Sequence, residues 1–98
     1  MLDINRYEPE IKRLCQFLAV RNLYLVGSAA RNDFTENSDI DILLELEGDE
    51  NRFDRYFTLK EKLEKLFGRK IDLIEEEAIN NPYLRKNLQK DRVLVYAA

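Results

Sequence analysis

The order of apolar and polar positions along the chain predicts short strands that alternate with helices. Ile11, Leu14, Cys15 and Leu18 recur at three- and four-residue spacing, which predicts a helix over residues 8–21. Similar patterns predict further helices over 28–34, 52–67 and 83–90. Apolar runs predict strands over 23–26, 39–46, 70–74 and 93–96. This alternation is typical of an α/β or α+β domain in which helices flank a small mixed sheet, and we expect residues 1–98 to form one such domain.

Several large side chains are predicted to belong to the hydrophobic core. Gly68 follows the helix over 52–67 at the position expected of a C-terminal stop. The aromatic residues of that helix keep a period near that of an α-helix, so we expect all four in the core: Phe53, Tyr56, Phe57 and Phe67. Cys15 lies on the apolar side of the first helix and is also expected to be buried.

The composition excludes several classes of chemistry. The chain of 98 residues contains no His and one Cys, so a His-based triad, a His general base and a multi-Cys metal site are all excluded. There are 16 Lys and Arg against 19 Asp and Glu, and the sequence has no strong basic stripe of the kind that duplex nucleic acid requires. Direct binding of nucleic acid is therefore not expected.

The sequence also indicates where the protein works. It contains no run of 18 apolar residues, and its first residues lack the basic-then-apolar order of a signal peptide. The single cysteine and the charged fraction of 36% favour a reducing compartment. We therefore expect a cytoplasmic protein without a membrane segment.

A glycine and a serine follow the first predicted strand. Gly27 allows a sharp turn and a close approach of the backbone to a ligand. Ser28 is predicted at or near the N-cap of the next helix, where free N–H groups favour an anion and the hydroxyl adds a donor. Taken alone, this pattern is weak evidence, because it occurs in many ordinary strand-to-helix turns.

Two acidic residues begin the second predicted strand. Asp39 and Asp41 are two residues apart, so a strand presents both carboxylates on one face. Such a pair repels unless a cation lies between the charges, and Mg²⁺ is commonly held by a few carboxylates together with substrate phosphates. The alternative is a solvated pair of acids at the start of an exposed strand.

A third carboxylate interrupts the apolar strand over 70–74. Asp72 lies in its middle, where a charge is costly unless it is paired or bound to a metal. If this strand adjoins the strand over 39–46, Asp72 can reach the same site as the other two acids. A salt bridge to Arg69 or Arg31 is the alternative.

Read together, the three features indicate two-metal phosphoryl chemistry, with phosphate at the turn, metal ions on the acids and Asp72 near the attacking hydroxyl. The stretch Gly27-Ser28-Ala29-Ala30-Arg31, followed by Ser38-Asp39-Ile40-Asp41, resembles the signature of the DNA polymerase β-like nucleotidyltransferases. Within that superfamily the chain is similar to the minimal nucleotidyltransferases (MNT). The resemblance covers residues 23–74 and implies the nucleotidyltransferase palm-like fold.

The resemblance implies a role for each matching residue. Gly27 and Ser28 would bind the nucleotide triphosphate, while Arg31 would either steady its phosphate end or pair with an acid. The three acids, Asp39, Asp41 and Asp72, would bind two Mg²⁺ ions and be the catalytic residues, with Asp72 also assisting the base step. Asn32 stands where the family often has Gly, which slightly weakens the expectation of full activity.

The resemblance also implies a partner and a reaction. Minimal nucleotidyltransferases are commonly paired with a HEPN-domain toxin, and members of such pairs neutralise it by transferring AMP from ATP to a tyrosine. We therefore expect an antitoxin that is an Mg²⁺-dependent protein adenylyltransferase. Two alternatives stay open: an antitoxin that acts by binding alone, and a homodimeric nucleotidyltransferase that acts on a small molecule.

Overall fold

A computed structural model describes residues 3–31 and 33–98 of the chain. Within these residues three α-helices and four β-strands alternate, in the order α1 (Glu8–Phe17), β1 (Val20–Val26), β2 (Ile40–Leu46), α2 (Arg52–Phe67), β3 (Ile71–Glu75), α3 (Pro82–Lys90) and β4 (Val93–Ala97). Single 3-10 turns cover Asn5–Tyr7, Gly27–Ala30 and Glu76–Ala78. The predicted α/β architecture is confirmed.

The four strands form one mixed sheet in the order β3-β2-β1-β4. β1 is antiparallel to β2 and to β4, whereas β2 and β3 run parallel. The parallel pairing places the beginnings of β2 and β3 at the same end of the sheet, where the end of β1 also lies. The predicted acids and the Gly27 turn therefore meet at one end of the sheet.

The main core lies between one face of the sheet and helices α1 and α2. Ile11 and Cys15 from α1, and Leu59 and Leu63 from α2, are almost fully buried against the strands. Burial raises the pKa of the Cys15 thiol to about 12, so this buried cysteine stays protonated at neutral pH. The core prediction for Cys15 is confirmed.

A smaller apolar cluster covers part of the other face. Val26, Leu43 and Ile79 are buried there, and Leu88 of α3 packs against them. Leu43 of β2 belongs to this cluster because successive residues of a strand point to opposite faces. Asp41 precedes Leu43 by two residues, so it shares this second face.

Two predicted element boundaries are wrong. The first helix ends at Phe17 because Ala19 adopts a left-handed backbone (φ 54°), and Val20 already begins β1. The helix predicted over 28–34 is a single 3-10 turn, and Arg31 after it is extended. By contrast, α2 spans the predicted 52–67, and Gly68 ends it with φ 64°.

The core prediction for the aromatic residues of α2 is wrong for two of the four. Phe53 and Phe57 are 74% and 47% exposed, and their rings pack on each other with centroids 4.6 Å apart. The buried side of α2 is instead centred on Leu59 and Leu63, against which Tyr56 and Phe67 are partly buried. The period of about 3.6 residues in the apolar positions predicts the helix correctly, but it does not show which of these positions at the edge of the apolar face are exposed to solvent.

No helix in the described part of the chain is long and apolar enough to cross a membrane.

Candidate active site

The backbone of Gly27 closely approaches the Asp41 carboxylate. Val26 pairs with Asp41 across β1 and β2, so the next residue turns directly over that side chain. Gly27 has φ +63°, and a Cβ placed on it would lie 2.5 Å from Asp41 Oδ2. Both the left-handed backbone and the lack of space therefore require glycine here.

The turn after Gly27 is shorter than the sequence predicts. Gly27–Ala30 form one 3-10 turn, in which Ala29 is buried and Ser28 is half-buried. Val26 holds the N-cap position of this turn, so Ser28, predicted at or near the N-cap, lies two residues after it. Ser28 instead lies within the turn, one residue after the glycine that faces Asp41.

Asp41 and Asp72 are register partners on neighbouring parallel strands. Neighbouring strands lie about 4.8 Å apart, so the side chains of register partners emerge side by side on one face. The condition that β3 should adjoin β2 is thus met. Asp41 is half-buried, whereas Asp72 is exposed.

Asp39 directly precedes β2 and is exposed. The turn before it is closed by the Ser38 hydroxyl, which accepts a hydrogen bond from the Thr35 N–H at 3.0 Å. Arg69 also donates to the Thr35 and Glu36 carbonyls. These contacts tie the loop before Asp39 to the loop before β3, so both edges of the acidic end are fixed.

The Asp41 carboxyl lies within electrostatic reach of the other two acids. Burial raises the pKa of the Asp41 carboxyl, and the negative charges of Asp72 and then Asp39 raise it further. Arg31 acts in the opposite direction. The carboxylates therefore repel one another at neutral pH, and a bound cation would relieve that repulsion.

Arg31 is paired with acids in this structure. Its Nε and Nη2 donate to the two carboxylate oxygens of Asp33 at 3.2 and 3.3 Å, and Nη1 lies 3.9 Å from Asp91 Oδ2. These hydrogen bonds raise the pKa of Arg31 and lower that of Asp33. Asn32, which departs from the resembling pattern, lies outside the described residues.

The alternative reading of Asp72 as a salt-bridge partner is not seen. Within residues 3–31 and 33–98, neither Arg31 nor Arg69 forms an ion pair with Asp72. Asp72 is instead one of the charges that raise the pKa of the neighbouring Asp41.

The donor set fits Mg²⁺, although the acids do not form a closed cage. No three His, Cys, Asp or Glu side chains in the described parts of the chain converge closely enough to hold a metal ion by themselves. Mg²⁺ commonly takes one or two protein carboxylates and completes its shell with substrate phosphates and water. Carboxylate oxygens beside a turn suited to phosphate meet that requirement.

Two side chains of α2 next to Asp72 were not identified from the sequence. The Tyr56 hydroxyl donates to the Leu73 carbonyl at 2.5 Å, and Glu64 Oε2 accepts from the Ile71 N–H at 3.1 Å. The two residues lie eight positions apart on α2, close to its buried side. A polar group beside the buried side of a helix indicates a hydrogen bond to the rest of the fold. The sequence does not show which group is bonded, because that depends on the tertiary packing.

This arrangement defines a class of protein. A glycine-serine turn after one strand and carboxylates paired across the next two are groups that metal-assisted phosphoryl transfer can use. The family described as "Nucleotidyltransferase domain" matches residues 9–95. The chain belongs to this family and is a nucleotidyltransferase.

Several curated relatives of this chain are named as protein adenylyltransferases. A Methanocaldococcus jannaschii protein, provisionally named a protein adenylyltransferase, is 46% identical over 79 residues, which are 78% of this chain and 77% of that protein. A second such protein of the same organism is 41% identical over 93 residues, covering 95% and 92% of the two chains. The protein adenylyltransferase MntA of Thermococcus cleftensis is 31% identical over 70 residues, or 71% and 70% of the chains.

Solved structures share the fold. A structure described as a minimal nucleotidyltransferase superposes with a TM-score of 0.73 at 25% identity, covering 94% of this chain and 95% of the other. A chain of a toxin–antitoxin complex with AMP-PNP has a TM-score of 0.74 at 19% identity, covering 99% and 75%. A chain from the complex of a tri-AMPylated Shewanella oneidensis HEPN toxin with its MNT antitoxin has a TM-score of 0.68 at 17% identity, covering 98% and 74%. The expected minimal-nucleotidyltransferase fold is thus confirmed.

Proposed function

We propose that this chain transfers AMP from ATP to a tyrosine hydroxyl of a HEPN-domain toxin, and thereby acts as its antitoxin in the cytoplasm. The observation that carries the proposal is the register pair of Asp41 and Asp72 beside the Gly27 turn. The names of the relatives favour protein adenylylation over other nucleotidyl transfers. The HEPN partner is suggested by the toxin complex that shares the fold.

Asp39, Asp41 and Asp72 would hold two Mg²⁺ ions. When bound, Mg²⁺ offsets the negative charge of the triphosphate and of the three carboxylates. The raised pKa of Asp41 supports this assignment, because the charges of Asp72 and Asp39 add to burial in raising it.

Gly27, Ser28 and Arg31 would bind the triphosphate. The Gly27 backbone can approach a phosphate closely because glycine carries no side chain of its own. The half-buried Ser28 supplies a hydroxyl donor in the same turn. Arg31 is exposed and within electrostatic reach of Asp41, so its guanidinium can also meet a phosphate beside the acids.

Asp72 would accept the proton of the acceptor hydroxyl. The hydroxyl oxygen forms a bond to the α-phosphorus, the bond between that phosphorus and the β-phosphate oxygen breaks, and pyrophosphate leaves. Asp72 is suited to the base role because it is exposed and free of an ion pair within the described residues. An acceptor from outside can therefore reach it.

Co-expression of the chain with a HEPN-domain partner, followed by intact-mass measurement of that partner, tests the proposal. We expect the wild-type chain to add the mass of AMP to the partner, and Asp41→Asn to add none. Asp49→Asn is the matched control, because Asp49 is a fully exposed acid beyond the opposite end of β2. Its variant should add AMP as the wild type does.

Three other results would contradict the proposal. A tight complex with no gain of mass would indicate an antitoxin that acts by binding. Transfer to a small alcohol without any partner would indicate a small-molecule enzyme. An equal gain of mass with the wild type and with Asp41→Asn would show that Asp41 is not required for the transfer.

A further inference from the structure

We propose that Tyr56 and Glu64 are positioning residues that fix Asp72 by holding the outer edge of β3 on both sides of it. The inference rests on the proposed function of Asp72 and extends it to two residues of α2. It makes α2 the element that sets the place of the third acid.

The contacts of these residues bracket Asp72 along the chain. The Glu64 carboxylate accepts a hydrogen bond from the N–H of Ile71, the residue before Asp72. The Tyr56 hydroxyl donates to the carbonyl of Leu73, the residue after it. Asp72 thus lies between two backbone groups that are each held by a side chain of the same helix.

β3 needs such support because it is an edge strand. Its only strand neighbour within the described residues is β2, and the Ile40 N–H donates to the Lys70 carbonyl on that side. Backbone groups of a strand alternate between its two sides, so those of Ile71 and Leu73 face outward. Without partners these groups would be solvated, and the strand would be held along one side only.

Tyr56 and Glu64 are carried by a helix that is packed into the main core. Leu59 and Leu63 lie between them on α2, and both are completely buried in the main core. Burial first, and then the charges of Asp72 and Glu75, raise the pKa of Tyr56, which shows that its hydroxyl is within electrostatic reach of Asp72. The position of the acid is therefore linked to the packed core through two hydrogen bonds.

The test uses substitutions that remove each hydrogen bond alone. Tyr56→Phe deletes only the hydroxyl, and Glu64→Leu deletes the acceptor, whereas Glu64→Gln keeps an acceptor oxygen. Tyr83→Phe and Glu61→Leu are matched controls, because both side chains are exposed and Glu61 pairs only with Lys65 of the same helix among the described residues. The first readout is the affinity for Mn²⁺, measured with α,β-methylene-ATP, which cannot transfer AMP.

We expect Tyr56→Phe and Glu64→Leu each to weaken Mn²⁺ binding about tenfold, as outer-shell substitutions at metal sites do. The kcat for AMP transfer should fall by about the same factor, while the KM for ATP changes less than about twofold. Glu64→Gln and both controls should match the wild type. Faster amide exchange confined to β3 should accompany the two active substitutions.

Two outcomes separate the inference from the proposed function. If Asp72→Asn weakens Mn²⁺ binding but Tyr56→Phe and Glu64→Leu do not, the positioning role is wrong and the role of Asp72 stands. If Asp72→Asn has no effect, the proposed role of Asp72 itself fails. In the Asp72→Asn background Tyr56→Phe should cause no further loss, and an additive loss would overturn the inference.

Discussion

At position 27 both the backbone conformation and the nearby Asp41 carboxylate favour glycine. Its left-handed backbone and the Asp41 oxygen above it both exclude a side chain. Because that oxygen is the end of a flexible side chain, an added methyl group would displace the carboxylate rather than disrupt the fold.

Gly27→Ala should therefore separate activity from stability. Alanine in a left-handed conformation costs about 1–2 kcal/mol, so unfolding in urea should shift by about that amount. Gly48→Ala is the matched control, because Gly48 has φ +71° and nothing within 4 Å of an added Cβ. The two variants should lose similar stability, and only Gly27→Ala should lose transfer activity, by about tenfold or more. Equal activity of the two variants would contradict the close-approach argument.

Asp41 should destabilise the metal-free protein at neutral pH. Its pKa is raised above the ordinary 3.8, so the folded state holds the proton more tightly than the unfolded state does. Stability therefore falls as pH rises from about the unfolded pKa through the raised folded pKa. Asp41→Asn should raise the thermal midpoint of metal-free protein at pH 7, and the gain should disappear as the pH falls to about 3.8.

Mg²⁺ with nucleotide should reverse that order, because only the wild type gains the full binding energy of the cation. Thermal scans at several pH values, with and without Mg²⁺ and α,β-methylene-ATP, make this comparison. A lower midpoint for metal-free Asp41→Asn at pH 7 would contradict the proposed repulsion.

At this scale much of the site could be predicted from the sequence. The i, i+2 spacing of Asp39 and Asp41 and the lone acid in an apolar strand carry their own physical meaning. The pairing of Arg31 with Asp91 could not be predicted, since it joins residues 60 positions apart through the tertiary fold. Local sequence contains no signal for such a contact.

Arg55 joins the elements at the opposite end of the sheet. Its guanidinium donates to four backbone carbonyls, those of Leu18 and Ala19 after α1 and those of Glu47 and Glu50 before α2. It thus joins the segment after α1 to the segment between β2 and α2.

Arg55→Gln should cost roughly 2–3 kcal/mol of stability, because several charge-assisted hydrogen bonds are lost together. The measurement is the free energy of unfolding in urea. Arg21→Gln is the control, since Arg21 makes one exposed ion pair with Glu45, and it should change stability by less than about 1 kcal/mol. A shift as small for Arg55→Gln as for Arg21→Gln would contradict this structural role.

Among the secondary-structure elements, the ends of helices are the hardest feature to predict from the sequence. The apolar spacing continues past Phe17, but the backbone reverses at Ala19, a residue that seldom adopts positive φ. Gly68, by contrast, ends α2 where the sequence indicates, because glycine adopts this conformation freely. A boundary is therefore predictable when its residue type favours the conformation, and otherwise it is set by packing.

For the whole molecule, the exposed aromatic pair shows what periodicity alone cannot decide. Phe57→Ser should lower the free energy of unfolding by only about 0.5–1.5 kcal/mol, because Phe57 is 47% exposed and loses mainly its ring contacts. Leu59→Ala, two residues further along α2, should cost about 2–5 kcal/mol, because that side chain is completely buried. Urea unfolding of both variants tests this assignment of the core, and equal losses would contradict it.

The central claim is that three carboxylates at one end of the sheet carry out AMP transfer. The most direct test is the single-turnover rate of transfer from ATP to the HEPN partner by Asp72→Asn, compared with that of Asp49→Asn. We expect a loss of roughly 100-fold or more for Asp72→Asn, as when a general base is removed, and no loss for Asp49→Asn. Equal rates for both folded variants would contradict it.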